Sequence, residues 1–281
     1  MMAGFVLVHG AWHNSETWDA VAARLRAAGH VVQAVDLPGA GPLAAYPAAF
    51  RQRPLDAAAF ATEVSPNAGV TQDERTAATI AAIHAVNAQT GGKAVLVGHS
   101  LGGITLSPVA ESVPDALAAV VYLTAFMLPP GMPAIAMIQH PLMAEALVPS
   151  LLLADPEQVG ALRLDTQSTD PAYRARLKDC FYGDVDQATF DRLAVNFHCD
   201  EPVGVCIAPS AITAQNFGRV PRHYITCAQD RAITLAGQQA MVEMVDAAMG
   251  GATVMHSLDS SHSPFYAMPD DLARMLIAIA A

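Results

Sequence analysis

Gly98-His99-Ser100-Leu101-Gly102 has the form G-x-S-x-G. An apolar strand candidate, residues 94–97, precedes it, and a helix candidate, residues 101–112, follows. That context defines a strand–turn–helix elbow, in which a serine in strained backbone holds its Oγ clear of the sheet. Glycine suits the flanks because a Cβ there would collide with the turn. The helix that follows aims its N-terminus at the same spot and favours negative charge there. A serine hydroxyl is a weak nucleophile until a base takes its proton. The elbow therefore calls for an acid and a histidine, which follow the serine in that order.

Ten histidines are present. His262 lies in Ser260-Ser261-His262-Ser263-Pro264, between the last strand candidate (253–257) and the last helix, where a base would stand at the strands' C-terminal ends. The acid should follow the preceding strand candidate (223–227), and Ala228-Gln229-Asp230-Arg231 supplies Asp230. Asp259 is the rival, but it is too close to His262 in sequence to reach the imidazole well. The other common acid position follows the strand candidate at 118–124, where Thr124-Ala125-Phe126 offers no carboxylate. An oxyanion hole needs two backbone N–H groups, one from the residue after the nucleophile, Leu101, and one from the loop after an early strand. His9-Gly10-Ala11-Trp12 occupies the loop after the first strand, so Ala11 is the second expected donor. Together these groups are equipped for acyl transfer through a serine nucleophile.

Other chemistries find less support. His9 and His13 are four apart but leave a strand rather than share a helix face, and no H-E-x-x-H occurs. No metal site is expected. His198-Cys199-Asp200-Glu201 mixes ligand types without a partner cluster and reads as an ordinary loop. The lysine of a phosphate loop and the dinucleotide fingerprint are both missing, so no cofactor is expected.

The elements that must position these groups alternate along the chain. Residues 5–8, 31–35, 94–97 and 118–124 are short, nearly continuous apolar runs, as parallel strands buried on both faces require. Residues 18–28 have helical spacing, with Ser15 as an expected N-cap and Gly29 after the C-terminus. Thr71-Gln72-Asp73-Glu74 has capping-box form and opens a helix to about Gln89. The stretch 37–70 is irregular and carries five prolines. Alternation stops after Pro129-Pro130-Gly131 and resumes with the strand at 223–227, a helix at 235–249, the strand at 253–257 and a final helix from Asp270. The class is α/β with a parallel sheet. The expected organisation is a core of residues 1–128 and 219–281, with an inserted helical cap, 129–218, that contains no convincing strand.

The 281 residues are 53% apolar and only 15% charged, which excludes a disordered chain. The longest greasy stretch, residues 117–138, is broken by Pro129, Pro130, Gly131 and Pro133, so a membrane span is not expected. The net charge of −11 and the lack of any Lys/Arg run argue against nucleic acid. The cysteines, Cys180, Cys199, Cys206 and Cys227, show no C-x-x-C spacing and read as buried free thiols, with a disulfide among the first three as the alternative. No signal-peptide pattern precedes the first strand, so a cytoplasmic protein is expected.

At this point the chain resembles an α/β-hydrolase. More narrowly, it is similar to the plant methyl esterases and hydroxynitrile lyases with their bacterial esterase and pyrethroid-hydrolase relatives. The resemblance is carried by Phe5-Val6-Leu7-Val8-His9-Gly10-Ala11-Trp12-His13, by Gly98-His99-Ser100-Leu101-Gly102-Gly103 and by Tyr122-Leu123-Thr124-Ala125-Phe126-Met127. It continues through Phe217-Gly218-Arg219-Val220-Pro221-Arg222, Cys227-Ala228-Gln229-Asp230-Arg231-Ala232-Ile233 and His262-Ser263-Pro264-Phe265-Tyr266-Ala267-Met268-Pro269. It implies an α/β-hydrolase fold: a mostly parallel central sheet flanked by helices, with a helical cap inserted. It also implies a carboxylesterase-type serine hydrolase acting on a small or apolar ester. The lyases it resembles carry a threonine where this chain has Gly10 and a cap lysine in the active site. Gly10 points to the esterase side, while Lys178, the only lysine of the cap, keeps the lyase open. The same fold also leaves room for a cofactor-free His–Asp oxygenase or a receptor-like binding protein with little turnover. The expected pocket includes Gly10, Trp12, His13, Phe126, Met127, Phe181 and Ser263. The expected partner is a small-molecule ester alone, with the chain a monomer or homodimer.

Overall fold

The computed structural model describes residues 2–281; Met1, the start of the expected core range, lies outside them. The chain runs through β1 (Gly4–Val8), α1 (Asp19–Ala27), β2 (Val31–Val35), α2 (Ala57–Thr62), α3 (Gln72–Thr90), β3 (Ala94–Ser100), α4 (Gly103–Ser112) and β4 (Leu117–Ala125). It then leaves the sheet through α5 (Ala134–Ile138), α6 (Pro156–Val159), β5 (Ala161–Arg163), α7 (Pro171–Phe181), α8 (Gln187–Leu193), β6 (Asp200–Pro202) and α9 (Val203–Ile207). It returns with β7 (Arg222–Cys227), α10 (Leu235–Met249), β8 (Val254–Leu258), α11 (Pro264–Ala267) and α12 (Pro269–Ile279).

Six parallel strands stand in the order β2-β1-β3-β4-β7-β8. Successive residues of each strand face opposite sides. Phe5, Leu7, Val95, Val97, Val121 and Leu123 pack against α1 and α12 through Val21, Leu25, Leu272 and Leu276. Val6, Val8, Leu96, Val120 and Tyr122 pack against α3, α4 and α10 through Ile83, Val86, Leu106, Val109 and Val245. Burial on both faces holds for the inner strands. The edge strands differ: β2 is only partly buried, and most of β8 is exposed.

Local signals explain the element ends. Thr71 and Glu74 close both halves of the capping box, with Thr71 Oγ1 accepting from the Glu74 N–H at 3.2 Å and Glu74 Oε2 accepting from the Thr71 N–H at 2.8 Å. Before α1 the cap falls one residue earlier than Ser15. The Asn14 side chain accepts from the Glu16 N–H at 3.0 Å, and Ser15–Trp18 forms a 3₁₀ turn. The irregular stretch 37–70 contains α2, capped by Asp56.

Residues 126–221 do contain strands, contrary to the sequence expectation. β5 and β6 form an antiparallel pair, with Leu162 opposite Glu201 and Arg163 opposite Asp200. Three-residue strands holding Arg, Asp, Glu and Pro carry no apolar run from which to read them. Arg163 and Asp200 are fully buried and joined by two hydrogen bonds of 2.7 Å, a bidentate pair that satisfies both charges. All four cysteines are free and buried. Among the described residues no helix is long and apolar enough to cross a membrane.

Candidate active site

Ser100 ends β3, beside the start of α4, at φ 54°. Three glycines make room for this turn. A Cβ on Gly98 would lie 2.3 Å from Leu106 Cδ1, and one on Gly102 would lie 2.4 Å from the His9 carbonyl oxygen. One on Gly103 would lie 2.4 Å from the Phe126 carbonyl oxygen. Two of these obstacles are backbone and cannot yield. The Phe126 N–H donates to the Ser100 carbonyl at 3.0 Å and pins the turn to the end of β4.

Asp230 follows β7, and His262 lies in the loop after β8. Their side chains meet: His262 Nδ1 lies 2.6 Å from Asp230 Oδ2, with both groups buried. Thr124, at the end of β4, donates its hydroxyl to the same Oδ2 at 2.5 Å. Asp230 Oδ1 accepts from the Ala232 N–H at 2.7 Å and the Ile233 N–H at 2.9 Å. Thus Asp230 receives four donors and offers none. Sequence reasoning missed Thr124 because it sought a carboxylate at that position, whereas the residue provides a donor to one. Asp259 is exposed and accepts instead from Gln229 Nε2 at 2.8 Å.

The loop holding His262 is tied at two points. The His262 carbonyl accepts from His99 Nε2 at 2.8 Å. Two residues upstream, Asp184 accepts from Ser260 Oγ at 2.6 Å and from the Ser261 N–H at 2.8 Å. Sequence reasoning gave Asp184 no role.

The loop after β1 is organised by its histidines. His9 Nε2 accepts from the Leu37 N–H at 3.2 Å, so its proton sits on Nδ1 and is donated to the Gly10 carbonyl at 2.8 Å. In a trans peptide the N–H points opposite to the C=O. His9 therefore turns the Ala11 N–H away from its own ring, and Ala11, Leu101 and Ser100 line one cavity. Neither the Ala11 nor the Leu101 N–H has a protein acceptor among the described residues. His13 lies beside that peptide but faces away from the cavity: its Nδ1 meets the Ala11 carbonyl at 2.7 Å, and its Nε2 meets the Tyr182 hydroxyl at 2.8 Å.

The cavity has a volume of about 40 Å³. Trp12, Phe126 and Phe181 line it, together with Ile138, Met143, Val148, Leu162 and Ile233. No charged side chain is among its lining residues. The remaining expected pocket residues lie elsewhere. Gly10 sits behind the nucleophile, where a Cβ would come 2.7 Å from Ser100 Cβ. Met127 packs under the sheet with Tyr122, because neighbours in an extended segment face opposite sides and Phe126 faces the cavity. Ser263 is buried outside the cavity lining. Lys178, on α7, does not line the cavity. Among the described residues no cluster of three or more His, Cys, Asp or Glu side chains could hold a metal.

Burial pushes the imidazoles beside the site down: His9 and His13 to about 3, His198 to about 4 and His99 well below its ordinary value. Once unfolded they titrate near 6.5. Between those values the unfolded chain binds more protons than the folded one, so stability falls as pH drops below 6.5. Each fully buried histidine is expected to remove about 1.4 kcal/mol per pH unit across that window. Thermal melts at pH 7 and pH 5 should show a clear fall in Tm at the lower pH. An unchanged Tm would contradict this assignment.

The fold agrees with what comparison finds. The alpha/beta hydrolase family model matches residues 5–275, and the chain belongs to that family. It is 27% identical over 274 residues to a pyrethroid hydrolase of Sphingobium wenxiniae, covering 96% of this chain and 85% of that protein. It is 26% identical over 278 residues to methylesterase 7 of Arabidopsis thaliana, covering 98% and 95%. Among solved structures, a pyrethroid hydrolase from Sphingobium faniae JZ-2 superposes with TM-score 0.76 at 24% identity, over 100% of this chain and 98% of that one. Polyneuridine aldehyde esterase superposes with TM-score 0.72 at 21% identity, over the full length of both chains. These superpositions establish the shared fold.

Proposed function

We propose that the chain is a serine carboxylic-ester hydrolase acting on small or apolar esters. The observation that carries this reading is the buried Asp230–His262 pair at 2.6 Å, in the same layer of strand ends as a left-handed serine that lines an apolar cavity. Ser100 Oγ attacks the ester carbonyl, and His262 Nε2 takes its proton. Asp230 holds Nδ1–H and stabilises the imidazolium. The Ala11 and Leu101 N–H groups receive the charge that develops on the carbonyl oxygen. His262 then protonates the departing alcohol, and water, activated by the same imidazole, releases the acid. Relatives named pyrethroid hydrolase and methylesterase support ester hydrolysis as the reaction class. In this reading residues 129–218 are a cap that closes over a core of 1–128 and 219–281 and supplies Ile138, Met143, Val148, Leu162 and Phe181 to the cavity.

Labelling with a fluorophosphonate should modify Ser100, and pretreatment should abolish turnover of p-nitrophenyl acetate. Turnover that survives full labelling would refute the serine mechanism. The uncharged lining adds a specificity prediction, because burying an unpaired carboxylate is costly. A neutral p-nitrophenyl acyl ester is expected to exceed its analogue with a free acyl-chain carboxylate by at least about 100-fold in kcat/KM. Equal values would count against an apolar acyl site. The lyases this chain resembles place a cap lysine beside the departing cyanide, and Lys178 does not line the cavity. Mandelonitrile is therefore expected to release no cyanide above background.

A further inference from the structure

Trp12 directly follows the Ala11 donor, and its backbone is left-handed at φ 58°, a conformation that bulky residues rarely adopt. Its polar groups are held by one part of the chain. Its N–H donates to Glu201 Oε2 at 3.3 Å, its indole Nε1–H donates to the Leu162 carbonyl at 2.9 Å, and its carbonyl accepts from the His198 N–H at 2.8 Å. All three partners lie between β4 and β7, two of them in the small sheet of β5 and β6. Glu201 also reaches the core, since its Oε1 meets Arg75 Nη1 on α3 at 2.5 Å, and each side chain is only 3% exposed. Arg75 Nε in turn donates to the Pro38 carbonyl at 3.2 Å.

We infer that Glu201 is a positioning residue for the oxyanion hole, holding the Ala11–Trp12 peptide so that the inserted segment completes a site the core alone leaves loose. The inference rests on the esterase reading above. The physical argument concerns the two peptide planes flanking Ala11. The Gly10 carbonyl of the first is fixed by His9, and the Ala11 carbonyl of the second by His13. The N–H of that second plane is fixed by Glu201. With Glu201 removed, the second plane keeps only the His13 contact at its carbonyl, and the left-handed strain at Trp12 favours a small rotation of that plane. That rotation swings Ala11 and displaces the donor by the fraction of an ångström that matters in transition-state binding. Arg75 allows a carboxylate to serve here, because it balances the buried charge through Oε1 and leaves Oε2 for the Trp12 N–H.

Two double variants separate this role from a merely structural one. Replacing a buried ion pair by apolar groups of similar size often preserves a fold. Arg75→Met/Glu201→Met therefore removes the pair together with the acceptor for the Trp12 N–H. Arg75→Met/Glu201→Gln removes the same pair but retains an acceptor oxygen. With p-nitrophenyl acetate, kcat of the Met/Met variant is expected to be about 10- to 100-fold below that of the Met/Gln variant, with KM within about threefold. Affinity for an aryl boronic acid, which mimics the tetrahedral intermediate, should fall in parallel. Equal kcat in two folded variants overturns the inference. If Met/Met does not fold, Glu201→Asp decides, because it keeps the charge beside Arg75 but withdraws the carboxylate by one methylene. A fall of about tenfold in kcat supports the role, and wild-type kcat overturns it. A wild-type protein without Ser100-dependent turnover would instead overturn the esterase reading itself.

Discussion

Ser100→Ala is expected to lower kcat for p-nitrophenyl acetate by at least about 10⁴-fold while leaving the fold intact, since removing a triad nucleophile leaves only the catalysis of the oxyanion hole and binding. The fold should tolerate the change. Alanine at φ 54° is no more strained than serine, and Ser100 faces the cavity, so the fold does not lean on its hydroxyl. The three close-packed glycines that build the turn are unaffected. Steady-state kinetics beside a thermal melt checks both halves. A folded Ser100→Ala protein with wild-type turnover would remove the serine from the mechanism.

Asp230→Asn is expected to cost about 10³- to 10⁴-fold in kcat, and the hydrogen bonds around Asp230 explain why. Four donors converge on this carboxylate: the His262 imidazole, the Thr124 hydroxyl and the Ala232 and Ile233 N–H groups. An asparagine presents one oxygen and one NH₂ group. If the NH₂ faces Ala232 and Ile233, two backbone donors confront a third. If it faces His262, the imidazole must accept on Nδ1 and carry its proton on Nε2, where it cannot take one from Ser100. Either arrangement leaves buried donors unpaired, so the variant should also melt lower than wild type. Thr124→Val in the Asp230→Asn background provides an internal check. It removes one of the competing donors and should recover part of the lost stability without restoring turnover. Near-wild-type kcat in folded Asp230→Asn would exclude Asp230 as the group that orients the base.

Much of the frame was legible because it is periodic and locally signalled. The apolar runs at β1, β3 and β4 could be read as inner parallel strands, and Thr71 with Glu74 marked the start of α3 before any tertiary information. The elbow was legible because its glycines are demanded by contacts with His9, Leu106 and Phe126. What escaped depends on long-range partners. Glu201 and Asp200 occur in a charged run without pattern, and their significance lies in Arg75, 126 residues away in sequence, and Arg163. Thr124 was in view but judged by the wrong property. His13 was assigned to the pocket from its place in the loop, yet its direction is set by Tyr182, which lies 169 residues on. Chain neighbours reveal which loop a residue occupies, while distant partners decide which way it points.

The cavity is walled by two kinds of segment. Ile138, Met143 and Val148 come from short helical turns, whereas Ser100, Leu101 and Phe126 are anchored to the sheet. In the esterase reading, a substrate meets only uncharged side chains on the first of these walls, with no salt bridge to break and no charge to desolvate. In that reading this wall selects by bulk and polarity rather than by charge pairing.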